Sequence, residues 1–221
     1  WRGFYAVINA ASVFMEKAPR TVELDRSYSE QNLKYDIAQV RALRAFAYFY
    51  MVRIWGDVPL VTYSYDNGTF PSMPRTDAQT VLSYAKAELL TAIKDLPYQY
   101  GTQTNLYYGS YGAQWQGKLF NKLSAYSVLA HICAWQGNYA EAETYSAFII
   151  DHASEINAKY TSITDLTSET GLFYSNASVK GSRILGFNFA HNDNEATQSG
   201  HLEQLTVAYP LVQKSYPEKD V

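Results

Sequence analysis

Between Tyr98 and Gly117 the chain runs twenty residues without a single charge. Tyr98, Tyr100, Tyr107, Tyr108, Tyr111 and Trp115 stand there among amides such as Asn105 and glycines at 101, 109, 112 and 117. This composition is unlike a core, and connecting segments run over protein surfaces, so several of these rings are expected to face solvent. Tyrosine and tryptophan offer a flat apolar face with a polar edge. That suits the C–H faces and hydroxyl rims of sugars, and it suits peptides in the way that Tyr-, Ser- and Gly-rich paratopes do. The candidate binding groups are therefore Tyr107, Tyr108, Tyr111 and Trp115 as stacking platforms, with Asn105 as a hydroxyl partner. A second candidate surface comprises Tyr63, Tyr65, Asn67 and Phe70, although Asn67-Gly68 is also an ordinary turn.

Catalytic constellations are missing from the sequence. There is no Gly-x-Ser-x-Gly elbow, phosphate-binding glycine loop, dinucleotide fingerprint or His-Glu-x-x-His pair. His131, His152, His191 and His201 are isolated, with His131 read as a structural residue in mid-helix. Glu141 and Glu143 lie two apart on a helix and point in different directions, which makes a poor acid/base pair. Cys133 is the only cysteine, so there is no disulfide framework or Cys-rich metal site, and it reads as a packed thiol. Neither enzyme activity, cofactor nor metal is expected.

The 221 residues carry a net charge of -3 and 18% charged residues, with 47% hydrophobic and 20 tyrosines. No basic stripe or total suits nucleic acid. The apolar content excludes a disordered chain, and no run of about 18 uncharged apolar residues is present to span a bilayer.

Helical periodicity accounts for most of the first 152 residues. Phe4, Ile8, Ala11 and Met15 predict a first helix ending near Pro19, followed by a polar stretch from Arg20 to Gln31. A second helix, about Leu33 to Trp55, carries Arg41 and Arg44 one turn apart, becomes apolar nearly all round, and stops at Gly56-Asp57-Val58-Pro59. Thr76 with Gln79 reads as a capping box for a third helix with Leu82, Ala85, Leu89, Ile93 and Leu96 on one face, closed by Pro97. A fourth helix is expected from about Lys118 to Gln136. A fifth follows Gly137-Asn138 with Tyr139, Ala142, Tyr145 and Ile149 as its apolar stripe, and Leu123, Ala130, Ala142 and Ile149 are expected core. The last two helices form a unit of about 34 residues, the tetratricopeptide period. The fold expected is mainly α, with tetratricopeptide-like helical hairpins, long loop insertions and a less regular C-terminal part. Residues 1–152 form the helical scaffold with inserted loops 62–75 and 98–117. Residues 153–221 form an irregular segment in which Ile184 to Phe189 suggests a short strand, the start of a ligand-binding half.

Particular strings suggest a family. Trp1-x-x-x-Tyr5-x-x-Ile8-Asn9-x-Ala11, then Arg41-Ala42-Leu43-Arg44-Ala45-Phe46-Ala47-Tyr48-Phe49 running into Trp55-Gly56-Asp57-Val58-Pro59-Leu60-Val61, resemble the SusD/RagB outer-membrane nutrient-binding lipoproteins of Bacteroidetes. The likeness continues through Pro74-Arg75-Thr76, Asp95-Leu96-Pro97, Lys122-Leu123-Ser124-Ala125 and Gly137-Asn138-Tyr139-x-x-Ala142. The resemblance implies a lipid-anchored protein of the outer membrane, facing the cell exterior, with its lipidated cysteine upstream of Trp1 and further ligand-binding residues beyond this chain. It implies capture of oligosaccharides and their transfer to a SusC-like TonB-dependent β-barrel transporter. A RagB-like peptide binder, or a helical interaction scaffold with no small ligand, are the alternatives. Loop 98–117 is longer than the family's usual connection and is a candidate for ligand specificity or transporter contact.

Overall fold

In the computed structural model, the described residues are 1–65, 71–102, 107–108, 117–158 and 184–185. They belong to one compact unit, Trp1–Gly186; a second unit, Phe187–Val221, lies outside the described residues. Among the described residues five α-helices follow in order: α1 (Arg2–Leu24), α2 (Glu30–Trp55), α3 (Ala78–Ala92), α4 (Lys122–Trp135) and α5 (Tyr139–Asp151), with a short 3-10 turn at Ala153–Ile156. The chain is mainly α-helical, and its hairpins are tetratricopeptide-like. Helix α2 packs against both α1 and α3, and α4 pairs with α5.

Helix α2 is the centre of the fold because its sequence leaves it no dry or wet side to choose. Ala38, Ala42, Ala45, Tyr48, Met51 and Val52 are all buried, the small residues letting neighbouring helices approach closely. Arg44 is buried among them. Its guanidinium donates to Glu88 Oε2 of α3, to Ser12 Oγ of α1 at 2.9 Å and to the Thr62 carbonyl at 3.4 Å. Arg41 donates to the other carboxylate oxygen of Glu88 at 2.7 Å, and the Tyr84 ring lies 5.6 Å from the Arg44 guanidinium. The Arg41/Arg44 spacing of one turn thus serves one carboxylate on the facing helix.

The expected apolar face of α3 is observed, with Leu82, Ala85 and Leu89 buried, but the helix ends at Ala92 and not at Pro97, and Ile93 and Leu96 are buried in the segment that follows it. Several boundaries differ from expectation. Helix α1 does not end at Pro19 but continues to Leu24 with the proline inside it; Pro19 is exposed, so the forfeited N–H bond falls on the outer surface. Much of the expected polar stretch is therefore helical, and α2 begins early because Ser29 caps it by accepting from the Asn32 N–H. Helix α3 is capped by Asp77, which accepts from Gln79 and Thr80, whereas Thr76 forms a backbone bridge with Val58. Helix α4 starts at Lys122, since Asn121 and Ser124 make a reciprocal capping box there. Helix α5 has no buried residue: Tyr139 is 72% exposed, and Ala142, Tyr145 and Ile149 are half-buried. Among the described residues α5 packs on α4 and the following 3-10 turn, so its stripe is covered on one side only. Leu123 and Ala130 are buried as expected, and so is Cys133. His131 is exposed, its ring edge set against Phe49. Of the expected strand only residues 184–185 are described, with Leu185 packed against the core.

The turn after α2 sets the path of the connection to α3. Gly56 has φ +69, a left-handed backbone that side chains disfavour, and its N–H bonds the Val52 carbonyl at 2.8 Å. Tyr48, fully buried, donates to the Val61 carbonyl and accepts the Val61 N–H, both at 2.8 Å. Tyr5 of α1 donates to the Pro59 carbonyl at 2.8 Å. The connection carrying Tyr63 and Tyr65 is thereby tied to α1 and α2.

This packing is testable at its buried charge and at its buried phenols. Replacing Glu88 by alanine leaves the Arg44 guanidinium buried without a carboxylate and is expected to destabilise the intact protein by about 3–5 kcal/mol in urea denaturation. Arg41→Ala, at a side chain 27% exposed, is expected to cost about 1 kcal/mol or less; equal losses would refute the hub. Burial pushes the Tyr5 hydroxyl from 10.0 up to about 12 and raises Tyr48 and Tyr100 as well. Above pH 10 the unfolded chain therefore holds fewer phenolic protons than the folded one, so stability is full below pH 10 and falls as pH rises through about 12. Phenolate absorbance should rise together with loss of helical circular dichroism; complete ionisation with the helices intact would contradict this.

Candidate functional site

The sequence that positions the aromatic insertion lies in the N-terminal half of α2. Tyr35 and Gln39 share one face of the helix, one turn apart, with Asp36 beside them. The Gln39 side chain donates to the Tyr100 hydroxyl and the Phe120 carbonyl, and its oxygen accepts the Phe120 N–H at 2.8 Å. Tyr100 in turn donates to the Phe120 carbonyl at 2.7 Å. One glutamine therefore ties together both ends of the insertion. Tyr35 meets Tyr100 edge-on with ring centroids 5.9 Å apart, and Tyr107 at 5.7 Å.

Asp36 accepts from three phenols. Tyr28 and Tyr108 donate to Oδ2, each at 2.7 Å, and Tyr107 donates to Oδ1. Burial first, and then the bond to Asp36, raise the hydroxyl pKa of Tyr107, Tyr108 and Tyr28 above the ordinary phenol value. All three stay protonated donors at neutral pH. Beside this cluster a groove of about 760 Å³ opens between α1 and the α1–α2 connection, a size typical of small-molecule sites. Val13, Phe14 and Ala18 of α1 supply apolar lining, and Tyr28, Asp36 and Tyr108 line it as well.

The candidate residues separate into distinct environments. Tyr107 is buried, 4% exposed, among Tyr35, Tyr100 and Tyr108; its ring is a support, not an open platform, because these rings enclose it. Tyr108 is 41% exposed at the groove. Tyr63, 51% exposed, and Tyr65 form a tilted pair with centroids 5.0 Å apart, and Tyr65 donates to the Tyr63 hydroxyl at 2.7 Å. This bond pushes the Tyr65 hydroxyl up to about 12. Asn9 of α1 fixes the pair by accepting the Tyr65 N–H at 2.7 Å and donating to its carbonyl at 3.0 Å. Tyr111, Trp115, Asn105 and Asn67 lie outside the described residues, as does Phe70.

Sequence reasoning missed Tyr28, Tyr35, Asp36 and Gln39. The available signal was local: two tyrosines and two polar side chains on the entry to an otherwise apolar helix. Among the described residues no group of His, Cys, Asp and Glu could hold a metal ion. Glu141 pairs with Lys86 and accepts from Tyr145, so it joins α3 to α5.

A crystal structure of a SusD superfamily protein from Bacteroides thetaiotaomicron is 94% identical, with TM-score 0.82 over 99% of this chain and 46% of that one. The chain belongs to the SusD-like family. SusD-like protein P38 of Formosa agariphila is 31% identical over 147 residues, 65% of this chain and 24% of the relative. A solved laminarin-binding SusD-like protein is 25% identical with TM-score 0.55, over 74% of this chain and 31% of that one. No family model matches the sequence. This SusD-like chain thus spans about a quarter of the curated relative's length and less than half of the near-identical crystallised chain.

Gln39 generates the prediction for this region. Its replacement by alanine removes its bonds to the Tyr100 hydroxyl and to the Phe120 carbonyl and N–H and is expected to cost about 1–3 kcal/mol. Amide exchange should accelerate at Phe120 and around Tyr100 and Tyr107 while α3 and α4 remain protected. Unchanged exchange in the insertion would refute its attachment through this side chain.

Proposed function

We propose that the chain is part of a non-catalytic cell-surface protein that captures oligosaccharides and passes them to a SusC-like TonB-dependent outer-membrane transporter, the whole being lipid-anchored in the outer membrane and facing the exterior. Kinship with SusD-like proteins supports this reading, and one solved relative is described as laminarin-binding. The observation that carries it is the juxtaposition of an exposed phenol ring, Tyr108, with a carboxylate and an apolar wall in one groove. A sugar ring needs a flat apolar contact on one face and hydrogen-bonding groups at its rim, and the groove offers both. Tyr63 and Tyr65 supply a second exposed aromatic surface, with Tyr111, Trp115, Asn105 and Asn67 assigned to binding on residue type. Tyr107 acts by holding Tyr108 and Asp36 in place. Domain assignment follows the same reading, with 1–152 as scaffold and 153–221 as the start of a ligand-binding half.

Isothermal titration of the intact protein against neutral oligosaccharides, with a peptide mixture in parallel, tests the reading. At least one oligosaccharide is expected to bind, and Tyr108→Ala is expected to weaken it about tenfold. Binding of peptides alone would move the protein to the RagB-like branch. Retention of neither class, together with co-purification of a β-barrel partner, would leave an interaction scaffold.

A further inference from the structure

Asp36 is an unusual carboxylate in that its partners among the described residues are three neutral phenols, with no cation paired to it. A half-buried carboxylate solvated by hydroxyls alone is chemically the arrangement that a bound polyol creates. The three phenols are not equivalent. Tyr107 is buried and Tyr28 half-buried, whereas Tyr108 is 41% exposed and lines the groove. Tyr108 also has φ +47, a left-handed backbone conformation that is disfavoured for a bulky side chain and that concentrates at functional positions. Its hydroxyl bond to Asp36 and its edge contact with Tyr107, centroids 4.7 Å apart, hold it there.

We propose that Asp36 is the polar anchor of a glycan subsite in this groove, and that the Tyr108 hydroxyl occupies the position a ligand hydroxyl takes when a neutral sugar binds. The proposal rests on the glycan reading above. Exchanging one O–H donor for another keeps Asp36 Oδ2 fully bonded, so the swap leaves no acceptor orphaned. A hydrogen bond to an ionised carboxylate is among the stronger ones available to a neutral sugar. Val13, Phe14 and Ala18 line the same groove and supply an apolar surface on which the C–H face of a pyranose would rest. Ligand charge is selected as well. Among the described residues the groove is lined by Lys17 and by the two carboxylates Asp25 and Asp36, so their net negative charge repels a uronic-acid oligosaccharide and not a neutral glycan.

The test uses the intact protein, a panel of neutral hexasaccharides that includes laminarihexaose, and oligogalacturonate as the anionic probe, with thermal midpoints recorded for every variant. For the tightest neutral binder, Tyr108→Phe keeps the ring and removes only the competing donor, so affinity should rise by about threefold. Asp36→Asn added to the Tyr108→Phe variant, where no Tyr108 hydroxyl competes with the ligand, is expected to lose about tenfold or more in affinity, as expected for a charge-assisted bond made neutral. Oligogalacturonate should bind at least about tenfold more weakly than the neutral glycan. If a neutral glycan binds but Asp36→Asn leaves the affinity of the Tyr108→Phe variant unchanged, the anchor is overturned and the glycan reading stands. If Tyr108→Phe leaves affinity unchanged or weakens it, the exchange is overturned. If no glycan binds, the glycan reading falls and the anchor falls with it. Tyr108 is exposed, so its phenylalanine variant remains informative even should Asp36→Asn lower the thermal midpoint.

Discussion

The Arg44–Glu88 pair is the constraint on which the rest of the structure depends. A guanidinium 5% exposed in the middle of an apolar helix is tolerable only if a carboxylate and further acceptors meet it there. Here they come from three places: Glu88 on α3, Ser12 on α1 and the Thr62 carbonyl in the connection after α2. Apolar packing alone would allow α1 and α3 to slide along α2 by a turn with modest loss. The charge does not, because any slip strands it. Such a pair adds little net stability compared with apolar residues of the same volume; its contribution in this chain is register. The carbonyl it captures belongs to the residue immediately before Tyr63, so the register of the core is handed directly to an exposed aromatic surface.

The N-terminal half of α2 repeats the device in neutral form. The insertion between α3 and α4 has no apolar periodicity with which to bind a helix, so polar side chains attach it: Gln39 to the backbone of Phe120 and the hydroxyl of Tyr100, Asp36 to Tyr107 and Tyr108. Hydrogen bonds of this kind are directional, and apolar contact is not. They therefore fix the orientation of each ring as well as its place, which a surface with a binding role requires. The two halves of α2 thus divide the work, with Arg44 setting where helices lie and Asp36 and Gln39 setting where rings point.

Much of this fold is legible in the sequence. The all-round apolar pattern of α2, the single stripe of α3 and the Gly137-Asn138 turn are local, and local patterns reveal local structure. The errors share a cause as well. Pro19 reads as a terminator by its chemistry, yet its exposed position lets the helix run on to Leu24. Tyr107 and Tyr108 are adjacent in an uncharged stretch and look alike, yet one is buried and the other open. Both donate to Asp36, more than seventy positions earlier; what separates them is that Tyr35 and Tyr100 pack against the Tyr107 ring, and such contacts with an earlier helix leave no period or motif. Tyr28 and Gln39 stand out locally by residue type, but their partners are illegible for the same reason. The residue types of the candidate site are readable; the partners that sort them are not.

Helix α1 shows how two surfaces separated in sequence come to share one frame. Asn9, Ser12 and Glu16 recur at helical spacing on one face, where Asn9 and Glu16 hold the backbone of Tyr65 and Ser64 and Ser12 meets Arg44. Val13, Phe14 and Lys17 lie on the adjoining face and line the groove beside Tyr108. Advancing one residue rotates about 100° around the axis, so a single rigid rod presents a clamp for one aromatic pair and a wall for the other. Rings whose positions are fixed in advance lose less freedom on meeting a ligand than rings on independent loops, and less of the interaction energy goes to ordering them. In the glycan reading proposed above, two weak stacking contacts would then act as a unit on a ligand long enough to reach both. The buried charge matters to this arrangement because Ser12 fixes α1 against α2 through Arg44, and α2 carries Asp36; a shift of α1 along α2 would change the groove and disturb the Tyr63–Tyr65 pair at once.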